Sequence, residues 1–179
     1  MKRVSAEIRK KARKIKLLLL DVDGVLTDGG IVMDDRGKEI KRFDVRDGQG
    51  IKLLIDAGIE VALITGRFSK VVTHRARELG VSRVYQRAFN KVEVYQKIKR
   101  ETGFKDQEFA YMADDIVDLP VLRRVGLAMT VKDGWAGLKR MVDYVTVENG
   151  GKGAVREIVE ILLSAQGKWT AVTRCYYHS

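Results

Sequence analysis

The sequence predicts an α/β fold: a Rossmann-like three-layer α/β/α arrangement around a mainly parallel sheet, with a projecting β-hairpin. Three observations carry this. Apolar runs of strand length recur along the chain, segments of helical periodicity lie between most of them, and one place breaks the alternation with two adjacent extended segments. The runs fall at residues 15–20, 59–64, 82–85, 108–112, 126–129 and 144–147. Helical patterning fits residues 50–57, 70–79, 91–101 and 116–123, and residues 155–163 read as an amphipathic closing helix. The exception is residues 30–43, where two extended pieces flank Asp34, Asp35, Arg36 and Gly37, a turn-forming sequence. Right-handed crossovers place helices on both faces of such a sheet, and ligands bind in the crevice beyond the carboxyl ends of its strands.

The 179 residues suit one domain spanning 1–179, opened by a basic helix over residues 1–14 and closed by a patternless tail over 167–179. Net charge is +10, and eight of the basic side chains, from Lys2 to Lys16, crowd the amino terminus. No aromatic side chain is interleaved among them to stack on bases, so a solvated helix is expected there and a nucleic-acid partner is not. The run 15–20 is far too short to cross a bilayer, so no membrane partner is expected. Cys175 is the only cysteine, which excludes an intrachain disulfide and suits a reducing cytoplasm.

The loops that follow strands carry the chemistry. Asp21-Val22-Asp23-Gly24 ends the first strand with two carboxylates at the expected crevice. One can attack phosphorus and the other protonate a leaving oxygen, while Gly24 lets backbone N–H groups approach an anion. An isolated motif of this kind would more simply be a turn, and a calcium loop lacks its later oxygen ligands. Thr65-Gly66-Arg67 ends the second run. It offers a hydroxyl, a tight turn and a cation to a phosphoryl group, or simply a helix entry. Lys91, opening the helix after the third run, could neutralise a carboxylate and a phosphate together, although a surface lysine is the simpler reading. Asp114 and Asp115 end the fourth run. With Asp21 they make an oxygen-donor set suited to Mg2+, Asp115 holding or backing the ion, whereas Asp118 either orients that shell or caps the helix that starts there.

In this order and at these strand ends, the four elements resemble the haloacid dehalogenase superfamily of phosphohydrolases. The resemblance implies Asp21 as nucleophile, Asp23 as acid and base, and Thr65 and Lys91 as phosphate binders. It also implies Mg2+ held by Asp21, Asp114 and the backbone carbonyl of Asp23, with Asp115 and Asp118 behind them. Ala113 stands where the superfamily more often has glycine, and a slight shift of that loop is expected. The chain has no room for the cap domain that many members carry. Residues 20–29, Phe43, Asp47-Gly48, Thr65-Gly66-Arg67, residues 151–157 and Ala165-Gln166-Gly167-Lys168 resemble, more narrowly, the 3-deoxy-D-manno-octulosonate 8-phosphate phosphatases. That resemblance implies a magnesium-dependent phosphoric monoester hydrolase acting on a sugar-acid phosphate in lipopolysaccharide synthesis. It further implies a homotetramer whose hairpins meet at the centre, whose subunits cover one another's sites, and whose tail reaches a neighbour. A phosphatase for N-acylneuraminate 9-phosphate is the alternative within enzymology, and a non-catalytic oligomeric binding subunit the alternative outside it.

Overall fold

The computed structural model describes residues 4–177; residues 1–3 of the expected basic helix and residues 178–179 of the tail lie outside the described residues. A helix α1 (Ala6–Ala12) is capped by Ser5, whose hydroxyl accepts from Ile8 N at 3.3 Å, and it buries Ile8 and Ala12. Strand β1 (Leu17–Leu20) follows, then a hairpin of β2 (Val32–Met33) and β3 (Glu39–Ile40). Helix α2 (Val45–Asp56), strand β4 (Glu60–Ile64), helix α3 (Lys70–Leu79), strand β5 (Arg83–Tyr85) and helix α4 (Lys91–Thr102) come next. Strand β6 (Phe109–Ala113), helix α5 (Leu119–Leu122), strands β7 (Leu127–Thr130) and β8 (Tyr144–Val145), and helices α6 (Ala154–Ala165) and α7 (Trp169–Thr173) complete the order. Among the described residues, no helix is long and apolar enough to cross a membrane.

The main sheet runs β5-β4-β1-β6-β7-β8 with every neighbouring pair parallel. Its four consecutive leucines in β1 divide by the period of two: Leu18 and Leu20 join the core under α1, α2, α3 and α6, Leu17 and Leu19 the core under α4 and α5. All four are 0% exposed, which is why the strand carries no polar position. From β1 the chain winds outward through β4 and β5, then returns to the other side for β6, β7 and β8. The strand order therefore reverses at β1, and a crevice opens beyond its carboxyl end.

Three local expectations need correction. Helix α2 starts at Val45 rather than at residue 50, because Asp44 caps it, its Oδ1 accepting from Arg46 N at 2.7 Å and from Asp47 N at 3.3 Å. Gly48 and Gly50 look like helix breakers in sequence, yet a Cβ on Gly50 would stand 3.3 Å from the Arg156 Cα, so the glycine lets α2 and α6 approach closely. The tail is not patternless: α7 and a 3-10 turn at Arg174–Tyr177 pack back on the same chain. Lys168 Nζ donates to Ala57 O at 2.9 Å and the Arg156 guanidinium lies 5.3 Å from the Trp169 ring centroid.

The hairpin strands are shorter than the sequence suggests, with only Val32 opposite Ile40 and Met33 opposite Glu39. Asp34 closes the turn, its Oδ1 accepting from Lys38 N at 2.7 Å, and Gly37 takes φ +73°. Ile31, Val32, Met33 and Ile40 are each more than half exposed.

Candidate active site

Register decides which loops meet. Leu20 pairs with Leu63 on one side and Met112 on the other. Asp21 therefore lies level with the ends of β4 and β6, and Thr65 and Asp114 stand one residue further out on either side of it.

Asp21 is 7% exposed; its Oδ1 accepts from Val22 N at 2.7 Å and its Oδ2 lies 2.9 Å from Lys91 Nζ. Lys91, itself nearly buried, also contacts Asp118 Oδ1 at 2.6 Å. One ammonium thus bridges two carboxylates from different loops. Burial pushes the Asp21 carboxyl up to about 7, with Asp118 adding to the rise and Lys91 opposing it. Burial likewise raises Asp114 to about 6, and Asp118 again adds to it.

Side-chain oxygens of Asp21, Asp114 and Asp118 lie within 4.8 Å of one another. Three carboxylates here face one lysine, and Asp118 Oδ2 is buried without a hydrogen-bond partner among the described residues. An all-oxygen set with excess negative charge and an unsatisfied buried acceptor fits a hard divalent cation such as Mg2+. Asp118 accordingly differs from one of its two sequence readings. It caps no helix with its side chain; it is fully buried, and the Tyr111 hydroxyl donates to it. The predicted helix 116–123 breaks into a 3-10 turn (Ile116–Asp118) and α5, with Pro120 in the first turn of α5, and this break turns Asp118 inward. Asp115 is exposed and its Oδ1 accepts from Ile116 N at 2.7 Å, so its carboxylate closes its own loop and stands apart from the other three.

The loop that carries Asp21 is walled in by glycines. A Cβ on Gly24 (φ +82°) would fall 2.0 Å from Asp114 Oδ2. One on Gly150 would fall 1.8 Å from Gly24 O, while Gly151 N donates to Val25 O at 2.8 Å. Thr65 is 3% exposed, and its hydroxyl accepts from Arg67 N at 3.3 Å, which sets the turn through Gly66. Ala113 continues β6 opposite Thr130, so the strand itself delivers Asp114.

Asp23 belongs to a different group from the three clustered carboxylates. Lys41, whose side chain is 2% exposed, pairs with Asp23 Oδ1 and lies 3.1 Å from Glu39 Oε1. Arg67 joins through Nη2, 2.7 Å from Glu39 Oε1, and through Nε, 3.9 Å from Asp23 Oδ2. Sequence reading missed Glu39 and Lys41. Their signal was the alternation Glu39-Ile40-Lys41, which in an extended strand turns both charged side chains to one face and Ile40 to the other. A cavity of about 610 Å³ lined by Arg9, Arg13, Arg46 and Arg156 lies elsewhere, between α1 and α6, and holds none of the predicted site residues.

The crevice is open. Phe68, Phe89, Ile116 and Val117 stand exposed on the loops that carry Arg67, Lys91 and Asp115, Phe89 to 89%. Chemically, the arrangement offers a buried carboxylate beside a lysine, a second carboxylate two residues on, and a cation site among Asp21, Asp114 and Asp118.

No protein-family model matches the chain. A 3-deoxy-D-manno-octulosonate 8-phosphate phosphatase of Escherichia coli strain B is 46% identical over 165 residues, covering 92% of this chain and 88% of that protein. The crystal structure of the Moraxella catarrhalis phosphatase of the same name, in complex with a magnesium ion, a phosphate ion and KDO, matches with a TM-score of 0.94 at 39% identity, covering 97% of this chain and 99% of that one. A cobalt-bound deoxy-D-mannose-octulosonate 8-phosphate phosphatase from Haemophilus influenzae matches with a TM-score of 0.88 at 38% identity over 94% of this chain and 99% of that one.

Proposed function

Because the chain belongs to the 3-deoxy-D-manno-octulosonate 8-phosphate phosphatase family of the haloacid dehalogenase superfamily, we propose that its strand-end carboxylates divide the hydrolysis of that phosphomonoester into two displacements. The substrate is 3-deoxy-D-manno-octulosonate 8-phosphate, and the products are 3-deoxy-D-manno-octulosonate and inorganic phosphate. The observation that carries the assignment of roles is Asp21, buried at the switch point of the sheet with Lys91 2.9 Å from its Oδ2.

In the first displacement an Asp21 oxygen bonds to phosphorus as the bond from phosphorus to the sugar oxygen breaks, and Asp23 passes its proton to that oxygen. In the second, Asp23 takes a proton from water, whose oxygen attacks the aspartyl-phosphate; phosphate leaves and the Asp21 carboxylate returns. Lys91 offsets charge on Asp21 and on the phosphoryl oxygens, and Asp118 holds Lys91 in place. The Thr65 hydroxyl and the backbone N–H groups around Gly24 and Gly66 receive the phosphoryl group. Arg67 faces the remainder of the substrate, where a guanidinium suits the sugar acid's carboxylate. Asp21, Asp114 and the Asp23 carbonyl would hold Mg2+, with Asp118 against them and Asp115 at the loop edge; when bound, the ion supplies charge stabilisation to the phosphoryl oxygens.

The chain acts as one phosphatase domain, assembled as a cytoplasmic homotetramer that serves lipopolysaccharide precursor synthesis. Two features support the tetramer: the exposed apolar hairpin and the apolar rim of the open crevice, both of which a neighbouring copy would cover. The test is phosphate release from 3-deoxy-D-manno-octulosonate 8-phosphate, with N-acylneuraminate 9-phosphate as competitor, in Mg2+ and in EDTA. Turnover should require the metal, favour the octulosonate and vanish in Asp21→Asn. Residual turnover in Asp21→Asn within tenfold of wild type would overturn the covalent route.

A further inference from the structure

The hairpin ends in a buried lysine that is none of the groups reacting with or binding the phosphoryl group. Lys41 follows β3 directly, and its side chain is 2% exposed although the hairpin strands around it lie largely in solvent. Burying an ammonium is costly unless carboxylates surround it, and here there are two: Asp23 Oδ1 in direct contact, and Glu39 Oε1 at 3.1 Å. Glu39 is in turn held by Arg67 at 2.7 Å. We infer that Lys41 is a positioning residue, fixing the Asp23 carboxyl toward the leaving oxygen and thereby making the seating of the hairpin a condition for proton transfer.

Three features of the geometry support this. Asp23 lies on a loop whose next residue, Gly24, has φ +82°, and its side chain is 24% exposed, so without a partner it would sample several staggered rotamers. Lys41 grips one of its oxygens. The other, 3.9 Å from Arg67 Nε, has no closer cation among the described residues. Asp23 must also alternate between carboxyl and carboxylate during turnover. A lysine held by Asp23 alone would lose its partner at each protonation, whereas Glu39 keeps Lys41 in place through both states. Finally, two strands of two residues each make no stable hairpin by themselves. The set of Asp23, Lys41, Glu39 and Arg67 ties the hairpin base to the catalytic loop, and the same contacts serve both.

The inference rests on the phosphatase reading, and the experiment separates the two. The step at issue moves one proton from Asp23 to the bridging oxygen as the bond to phosphorus breaks. An alkoxide needs that proton and p-nitrophenolate does not. Values of kcat/KM, which end at departure of the leaving group, are compared for 3-deoxy-D-manno-octulosonate 8-phosphate and p-nitrophenyl phosphate. Lys41→Met should lose about 10- to 100-fold on the sugar phosphate and less than about 3-fold on the aryl phosphate. Lys41→Arg should recover most of the loss. In an Asp23→Asn background, Lys41→Met should cost nothing further. Equal losses on both substrates would overturn the inference, as would a further loss in the Asp23→Asn background, which would make Lys41 a substrate-binding group. Activity in Asp21→Asn would strike the phosphatase reading itself. With Asp21→Asn dead and Lys41→Met equal to wild type, the positioning role alone falls. Thermal melts of each variant by circular dichroism confirm that the proteins compared are folded.

Discussion

Replacing Lys91 by methionine removes the cation shared by two carboxylates while keeping the length and apolar stem of the side chain. The side chains of Asp21 and Asp118 are 10% and 0% exposed. Neither can recover in water what it loses. Breaking a buried pair by deleting one partner costs about 3–5 kcal/mol, mostly from the stranded charge. On a urea slope of about 2 kcal/mol per molar, that is a midpoint lower by about 1.5–2.5 M. The assay is equilibrium urea unfolding at pH 7.5 in EDTA, so that no divalent ion neutralises the site. Two further samples identify the cause. Adding Asp118→Asn to Lys91→Met removes one stranded charge and should restore about half of the loss, and Mg2+ should restore the single variant more than it stabilises wild type. A cost below about 1 kcal/mol, or a double variant less stable than Lys91→Met, would refute the view that Lys91 holds these charges in the fold.

Gly24→Ala sets a Cβ 2.0 Å from Asp114 Oδ2 on a backbone at φ +82°, so kcat/KM should fall by about 100-fold or more, with a weaker Mg2+ dependence of turnover as the check. Asp44→Ala should cost about 1 kcal/mol by loss of the α2 cap, read by urea unfolding. The pH dependence of that cost follows from the Arg46 side-chain hydrogen bond, which with the backbone donors holds the Asp44 carboxyl below its ordinary value. The stabilisation is therefore complete above the unfolded value of about 3.9 and is lost as pH falls through the lower folded value, so wild type and Asp44→Asn should differ at pH 6 and converge in strong acid. Asp21 and Asp114, raised to about 7 and about 6, bind a cation only when ionised. Mg2+ binding at pH 6.5 should release protons and weaken as pH falls from 8 to 6, measured by calorimetry in two buffers of different ionisation enthalpy.

The positions of Asp21, Thr65, Lys91 and Asp114 were legible because each follows an apolar run or opens a helix, and in a parallel sheet the register of those runs brings their ends level. What stayed hidden depends on contacts that no local pattern records. The alternation Glu39-Ile40-Lys41 puts the two charges on one face, but nothing local shows that this face meets Asp23 on the loop after β1. Asp118 reads as a helix cap until the break at Pro120 turns it onto Lys91. Gly48 and Gly50 depress helix propensity, and only the closeness of α3 at Gly48 and of α6 at Gly50 shows why α2 runs through them. The tail's packing rests on Trp169 against Arg156, an aromatic contact at a spacing that has no helical or strand period.

The wall formed by Gly150 and Gly151 against the Asp21 loop sets an order of events. Asp21 and Asp23 are encoded near the start of the chain, yet the surface that shapes their loop comes from its last fifth. During synthesis the nucleophile emerges long before its mould does. The catalytic loop therefore reaches its working shape only when the chain is almost complete, and a nascent or truncated molecule presents the motif without the means to use it.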